Sequence, residues 1–398
     1  MKRFTSLLLG VCLSAAAADV SSLADAFDQG KVSLNVRLRY EGVAQTSLLD
    51  ANALTLRTRL GFTTAPLHGW KGMLEAENVA AYDGDSYSQA GLNPAAARRA
   101  VVGDPETSEI NQVYVAYATG ATNVTIGRQR LVLDNARFIG DVGWRQNQQT
   151  FDAAVVQDKS LPKTTLTYGF LQQVNRVFSE RHAQGKWQSD SHVFNASYAG
   201  LPAGILTGYA YLLDFHNAAA TSCASYGLSF TGATPLDRDT TLLYRIEAAR
   251  QTDYGSSPLS YRTSYGIAEA GVGVAPGTLS LGHEVLGSDH NVGFKTPLAT
   301  LHALNGWADL FLATPAAGLR DSYLKATANL PAACGLTVFY HRFAYARGGE
   351  QVGTEWDSQL TRKFGKWISA TAKWADYRRD VVAFPNVRKV WLMVDYAY

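Results

Sequence analysis

KVSLNVRLRY, residues 31–40, decides the fold. Val32, Leu34, Val36, Leu38 and Tyr40 share one parity, and Ser33, Asn35, Arg37 and Arg39 share the other. A period of two means a strand with one apolar and one polar face. The pattern returns where Leu54, Leu56, Leu60 and Phe62 oppose Thr55, Arg57 and Arg59, and where Leu242, Tyr244, Ile246 and Ala248 oppose Leu243, Arg245 and Glu247. Late in the chain Ile368, Ala370, Ala372 and Trp374 oppose Ser369, Thr371 and Lys373. Eighteen such segments begin near residues 31, 52, 71, 109, 122, 151, 163, 191, 204, 223, 240, 261, 278, 320, 335, 352, 367 and 387, those near 151 and 204 being the least regular.

The connections order these strands. Odd-numbered ones run from five to 32 residues, even-numbered ones from three to seven. Long loops on one side and short turns on the other are the mark of bacterial outer-membrane barrels, and a β-sandwich has no reason to sort its loops so. The short set carries turn residues at Ala275 to Gly277, Leu201 to Gly204 and Phe364 to Lys366, as tight reversals require. The chain ends on Val390, Leu392, Val394, Tyr396 and Tyr398, one apolar face resembling the aromatic-ended last strand that barrel-assembly machinery recognises. The expected fold is all-β: a transmembrane antiparallel barrel of about 18 strands, with residues 19–398 forming one unit.

Energetics orient the wall. An Arg or Lys facing lipid near the midplane costs ~2–4 kcal/mol. Turning Arg37, Arg39, Arg57 and Arg59 outward together would cost roughly 8–16 kcal/mol at that depth, against ~5–15 kcal/mol for the stability of a whole protein. The polar face therefore lines a lumen. Parity puts Lys31, Arg37, Arg39, Arg57, Arg59, Glu75, Glu77, Arg245, Glu247, Asp321, Lys325, Glu355, Asp357, Lys373 and Asp395 inside. For any one of them a wall salt bridge is the plainer role, but neighbouring arginines on adjacent strands form the kind of ladder that selects anions. The 44 aromatic residues, 20 of them Tyr, are a supply for interface girdles.

Compartment and charge agree with this. Met1 to Ala18, MKRFTSLLLGVCLSAAAA, has two cations, a short apolar centre and a run of alanines, the form of a secretory signal peptide. No apolar run reaches the ~18–20 residues of a spanning helix, which excludes a helical membrane protein. Lys and Arg number 36 against 34 Asp and Glu; without Lys2 and Arg3 the count is 34 against 34. A balanced chain has no general field for nucleic acid, so selectivity must be local. Cys12 leaves with the leader, and Cys223 and Cys334 fall at opposite ends of the barrel, too far apart for a disulfide.

A second cationic group lies in GRQRLVLDNARFIGDVGWRQNQQTFDA, Gly127 to Ala153. This stretch resembles the signature of the alginate-export family of outer-membrane channels, and FKTPLATLHALNGWADLFLATPAAGLRDSYL, Phe294 to Leu324, resembles that family's other recurrent block. The resemblance implies an 18-stranded barrel whose pore is narrowed by inward loops, with arginines guiding an anionic polysaccharide. By motif it implicates Arg128, Arg130, Asp134, Arg137, Asp141, Trp144 and Arg145, with Asp309 and Arg320 less firmly placed. One feature fits badly: Arg128 and Arg130 share parity with apolar Val124 and Ile126. Either the strand leaves the bilayer before Arg128 or a bulge at Gly127 shifts the register.

The expected function is passive, charge-selective transport through the outer membrane, with no cofactor. Its partners are outer-membrane lipids, lipopolysaccharide, barrel-assembly machinery and an anionic polysaccharide or small anionic solute. An uptake porin for small organic anions fits loop length and charge equally well. An outer-membrane hydrolase using His283, Glu284, Asp289 and His290 is a distant third, because HExxH, phosphate-loop and nucleophile-elbow motifs are absent from the sequence. Ala95 to Val101 reads as an external loop rather than a helix. His302 and Trp307 read as residues that pack a loop.

Overall fold

A computed structural model describes residues 19–398; the leader at residues 1–18 lies outside the described residues. Twenty strands are present: β1(Lys31–Gln45), β2(Ala51–Thr63), β3(Trp70–Ala81), β4(Thr107–Thr119), β5(Thr122–Gln129), β6(Thr150–Asp158), β7(Thr164–Asn175), β8(Lys186–Leu201), β9(Gly204–Leu213), β10(Cys223–Pro235), β11(Thr240–Thr252), β12(Arg262–Val274), β13(Gly277–Leu286), β14(Ser288–Asp289), β15(Val292–Gly293), β16(Leu319–Leu330), β17(Cys334–Ala344), β18(Gln351–Phe364), β19(Ile368–Arg379) and β20(Val387–Ala397). β14 and β15 form a small ladder inside one long loop, and the other eighteen form a single sheet. Every wall strand pairs antiparallel with its neighbours in the chain, and β1 also pairs with β20, from Asn35 opposite Ala397 to Gln45 opposite Val387, which closes the barrel. The segment expected near 191 begins at Lys186; the other seventeen begin within two residues of expectation.

The parity expected from the sequence sets the wall. On β2 the residues from Ala51 to Gly61 alternate strictly, with Leu54, Leu56 and Leu60 exposed and Thr55, Arg57 and Arg59 buried. Lipid-facing positions of the last strand are Val390, Leu392 and Val394, while Lys389, Trp391 and Met393 point inward and are buried. Exposure to solvent marks the lipid face, because an apolar side chain there has only the bilayer to cover it. Among the described residues no helix is long and apolar enough to cross a membrane.

Connections on the side of the short turns have two to six residues; the long set reaches 32, from Gly287 to Gly318. Near the short side, Ser22 caps the six-residue helix α1(Leu23–Asp28), and Phe27 stacks on Phe62 with centroids 5.9 Å apart. Pro94–Ala97 forms a 3-10 turn within the long connection after β3. The core lies inside the barrel rather than between layers. Phe138 and Ile139 from the 130–149 connection and Phe294, Leu298 and Phe311 from the 287–318 connection pack on inner-wall Tyr209, Tyr265, Phe343 and Tyr377. Ile139 and Leu298 meet in a parallel β-bridge, so the 130–149 and 287–318 loops touch each other. Cys223 and Cys334 are free thiols, at the long-loop end of β10 and beside the short turn before β17.

Gly127 does not shift the register. β4–β5 and β5–β6 pair without interruption from Val113 opposite Arg128 to Arg128 opposite Asp152. The irregularities lie on the flanking pairs, at Glu75/Ala76 and Asp152/Ala153. Arg128 therefore keeps the outward parity of Ile126 in an uninterrupted register, and β5 ends one residue later, at Gln129. Gly127 itself has φ +126, and a Cβ there would stand 2.4 Å from the Val113 carbonyl oxygen. Only glycine fits that approach.

Candidate functional site

Four inward arginines on β1 and β2 stand side by side, with Arg37 directly opposite Arg57. Like charges so placed repel unless neutralised, and β1 itself and the neighbouring strands supply the anions. Arg37 Nε lies 2.6 Å from Asp395 on β20, Arg39 Nη2 2.7 Å from Glu41, and Arg59 pairs with Glu77 on β3. The remaining donors leave the wall for the backbone of the 130–149 loop. Arg37 donates to the Gly143 carbonyl at 3.2 Å and to that of Trp144 at 3.1 Å; Arg39 reaches the Trp144 carbonyl at 2.7 Å. Arg57 donates to the Arg145 carbonyl at 3.4 Å and Arg59 to the Gln146 carbonyl at 3.1 Å. The arginine ladder thus holds four consecutive peptide carbonyls, satisfying backbone acceptors that a buried loop cannot give to water.

Within the loop, Asp141 organises the turn. It accepts from Arg130 at 2.6 Å, from the Gly143 N–H at 3.1 Å and from Gln148 at 2.7 Å. Arg145 lies 3.1 Å from Glu41 on the wall and 3.0 Å from Asp309 in the other loop. Burial alone would lower the Arg145 guanidinium; Glu41, Asp309 and Asp104 outweigh it and raise the group above its ordinary value. The Trp144 indole stacks on His302 at 4.0 Å and 3°, with the Arg39 guanidinium 4.3 Å and the Lys373 ammonium 4.3 Å from its ring. Cations on an indole face are attracted by its quadrupole, more strongly when water is excluded.

An acidic wall faces this basic one. Glu284 on β13, Asp321 on β16 and Glu355 and Asp357 on β18 are all buried and inward. They bind the 287–318 loop through its donors: Asn305 Nδ2 to Glu284 at 2.5 Å and Asp321 at 3.3 Å, the Trp307 N–H to Asp357 at 3.2 Å and the Ala308 N–H to Glu355 at 2.7 Å. His341 sits 2.9 Å from Asp321 and 3.6 Å from Asp357. Gly306 has φ +85, and a Cβ there would collide with the Glu355 carboxylate at 2.4 Å, so glycine is what lets the two N–H groups dock. Asp309 gathers Arg145, Lys389 at 2.8 Å and His302 Nδ1 at 2.7 Å. Burial would raise the Asp309 carboxyl, but His302, Lys389 and Arg145 hold it well below the usual carboxylate range.

The residues expected to form the pore therefore divide. Arg37, Arg39, Arg57, Arg59, Asp141, Trp144, Arg145 and Asp309 come together in one network across the lumen. Arg137 lies apart from it, 3.1 Å from Glu284 and over the Tyr265 ring at 5.4 Å. Arg39 is 0%, Arg57 2% and Arg137 1% exposed, so these three are packed against loops instead of open to solute. Arg130 is the open one, its side chain 51% exposed beside Asp141. Arg245 pairs with Glu247, which also accepts from the Tyr209 hydroxyl at 2.7 Å; Lys325 lies over Phe339 at 5.4 Å; Asp134 accepts from Asn195 at 2.8 Å.

Arg128 and Arg320 do not join the lumen. Arg128 stands opposite outward Val113 and binds outward Asp152 at 2.7 Å, as its parity with Ile126 had signalled. Arg320, opposite Val285, donates at 2.8 Å to the Ala346 carbonyl on the outer rim. Placing both in the pore is corrected: sequence blocks do not state which face a residue takes. Likewise the His283 cluster disperses. His283 faces outward to Ser322, Glu284 faces inward, and His290 with Asp289 lies in the loop. Among the described residues no three His, Cys, Asp or Glu are placed to hold a metal. Missed at first were Glu41 and Lys389, whose inward parity was readable, and Asp104, whose role depends on a loop conformation that no periodicity encodes.

The family model described as alginate export matches residues 31–251. No curated protein matches the sequence. The fold is similar to OccAB4 of Acinetobacter baumannii, with TM-score 0.74 at 13% identity over 93% of this chain and 98% of that one. It is also similar to OpdK of Pseudomonas aeruginosa, with TM-score 0.70 at 15% identity over 92% and 99% of the respective chains. OpdK crystallised with vanillate superposes with TM-score 0.71 at 16% identity over 94% and 99%. With its closed 18-stranded wall and inward loops, the chain belongs to the alginate-export family of outer-membrane β-barrel channels.

Proposed function

We propose that this barrel passes anionic solutes passively across the outer membrane, and that its lumen charges set the preference. The observation that carries this is an uneven distribution of charge. Arg37, Arg39, Arg57, Arg59, Lys373 and Lys389 outnumber Glu41 and Asp395 on the arc β19–β20–β1–β2, whereas Glu284, Asp321, Glu355 and Asp357 outnumber Lys325 on the arc β13–β16–β17–β18. A carboxylate moving between such arcs is drawn to the basic side, and sites that bind weakly enough to release it permit conduction. Arg130 offers an exposed guanidinium for that exchange.

The family name favours a carboxylated polysaccharide as solute. The loop packing favours a second reading, small organic anions, because a polymer must displace a loop held by four wall arginines whereas a compact carboxylate need only pass beside it. OpdK, crystallised with vanillate, is a precedent for the small-anion reading in this fold. Block of single-channel current separates the two. Oligouronates that interrupt current at concentrations where small aromatic carboxylates do not would support the polymer; the reverse order would support the small solute. No covalent step is part of either reading.

A further inference from the structure

Arg320, displaced from the pore by the register, belongs to a group on the lipid-facing side. Arg342 on β17 faces Ser322 on β16 and Thr354 on β18; Thr354 in turn faces Arg378 on β19, and Arg388 on β20 faces Asp376. All four arginines are exposed, with the Arg378 and Arg388 side chains at 55% and 56%. The row continues on the same rim through Arg250 and Arg262, both exposed and outward. Each lies at the long-loop end of its strand. Among the described residues, Arg362 is the one cation on the outer parity of the wall strands at the opposite end.

The row sits at a definable depth. One pleat nearer the bilayer centre, Tyr340 and Trp356 pack on the outer face with centroids 4.8 Å apart, an aromatic pair of the kind that marks the membrane interface. Outward arginines at the midplane would cost ~2–4 kcal/mol each and near the interface almost nothing, so these positions are at headgroup level. Their charge is largely unmet within the protein. Arg378 and Arg388 share one carboxylate, Asp376, at 3.0 and 3.5 Å; Arg342 donates to Gln351 at 2.5 Å and Arg320 to a carbonyl. Asp380 is engaged by Gln351 at 2.5 Å.

We propose that Arg320, Arg342, Arg378 and Arg388 form a binding site for the phosphate groups of a phosphorylated glycolipid in the outer leaflet. Guanidinium forks bind phosphate oxygens in pairs, and strands repeat at ~4.8 Å, so Arg320 and Arg342 on adjacent strands and Arg378 and Arg388 on adjacent strands form two pairs separated by Thr354 of β18, which lets one multiply phosphorylated headgroup bridge several arginines. The glycolipid would then fill the outside of β16–β20 whichever solute the lumen carries.

Native mass spectrometry of the intact barrel with bis-phosphorylated lipid A, and with the same glycolipid stripped of phosphate, tests this. The wild type is expected to bind the phosphorylated form at least about tenfold more tightly, a gain of the size that a few interfacial Arg–phosphate contacts supply. Arg342→Gln/Arg378→Gln/Arg388→Gln should abolish the difference, the corresponding Lys variant should keep most of it, and Arg362→Gln at the other rim should leave it unchanged. Equal binding of the two glycolipids by the wild type, or an undiminished preference in the triple Gln variant, overturns the proposal. The wild-type comparison stands even if the triple variant fails to fold.

Discussion

Arg145 Nη2 and Asp309 Oδ2 meet at 3.0 Å, one from the 130–149 loop and one from the 287–318 loop. Each loop is also fixed to its own wall, the first by arginines on its carbonyls and the second by carboxylates on its N–H groups. This ion pair therefore ties the basic half of the lumen to the acidic half, and Arg145 extends it to Glu41 on β1 at 3.1 Å.

Arg145→Met should uncouple the loops. Removing one partner of a buried ion pair leaves its anions uncompensated and typically costs 3–5 kcal/mol, a range of about that size. Thermal unfolding of the purified barrel should show the loss, and single-channel records should become noisier as the loops move. An unchanged unfolding temperature with quiet current would show that the loops are held by other contacts.

Acid should weaken the same junction through His302. Burial first, then the nearby Lys373 and Arg145, lower this imidazole from its ordinary value to about 3 despite the opposing pull of Asp309. The geometry fits a neutral ring: Nδ1 is 2.7 Å from Asp309, and Nε2 is 2.6 Å from the Lys373 ammonium, which can only donate. A lowered pKa means that the unfolded chain binds the proton first, so stability is whole above about pH 6.5 and declines as pH falls toward 3. His302→Gln should flatten the stability profile across that window; an identical slope in the variant would remove His302 from the pH response.

Selectivity should separate Arg130 from Arg128. Arg130→Gln is expected to lower the anion-to-cation permeability ratio roughly two- to fivefold, the factor given by a change of ~0.5–1 kcal/mol for one charge in a hydrated lumen. Arg128→Gln should not change it, because that side chain binds Asp152 on the outer face. Reversal potentials in a salt gradient check both, and a larger effect from Arg128 would contradict the assigned faces.

Gly127→Ala should destabilise the barrel by about 1–3 kcal/mol, since the left-handed backbone and the Val113 carbonyl both oppose a side chain. Denaturant unfolding measures this. A neutral outcome would mean that β5 can shift to accept the methyl group.

The wall was legible because a barrel strand advertises itself twice, through parity and through the turn that follows it. Arg37, Arg57 and Lys373 were placed inward on that ground alone. What the arginines hold was not legible: four carbonyls in the 143–146 stretch become their partners only once the loop has folded across the lumen, and backbone acceptors leave no trace in side-chain pattern. The family-like blocks drew attention to Arg128 and Arg320 without stating a face, and for Arg128 the parity argument was the better guide. His302 and Trp307 read as packing residues; the stack of His302 on Trp144 and its contact with Lys373 make it part of the charged junction as well.

The central claim is a conducting lumen whose charge layout favours anions. Purified protein in a planar bilayer under a potassium chloride gradient tests it most directly through the reversal potential. Stepwise current is expected, with a reversal potential displaced toward that of chloride. Cation preference, or no current from correctly folded barrel, would contradict it.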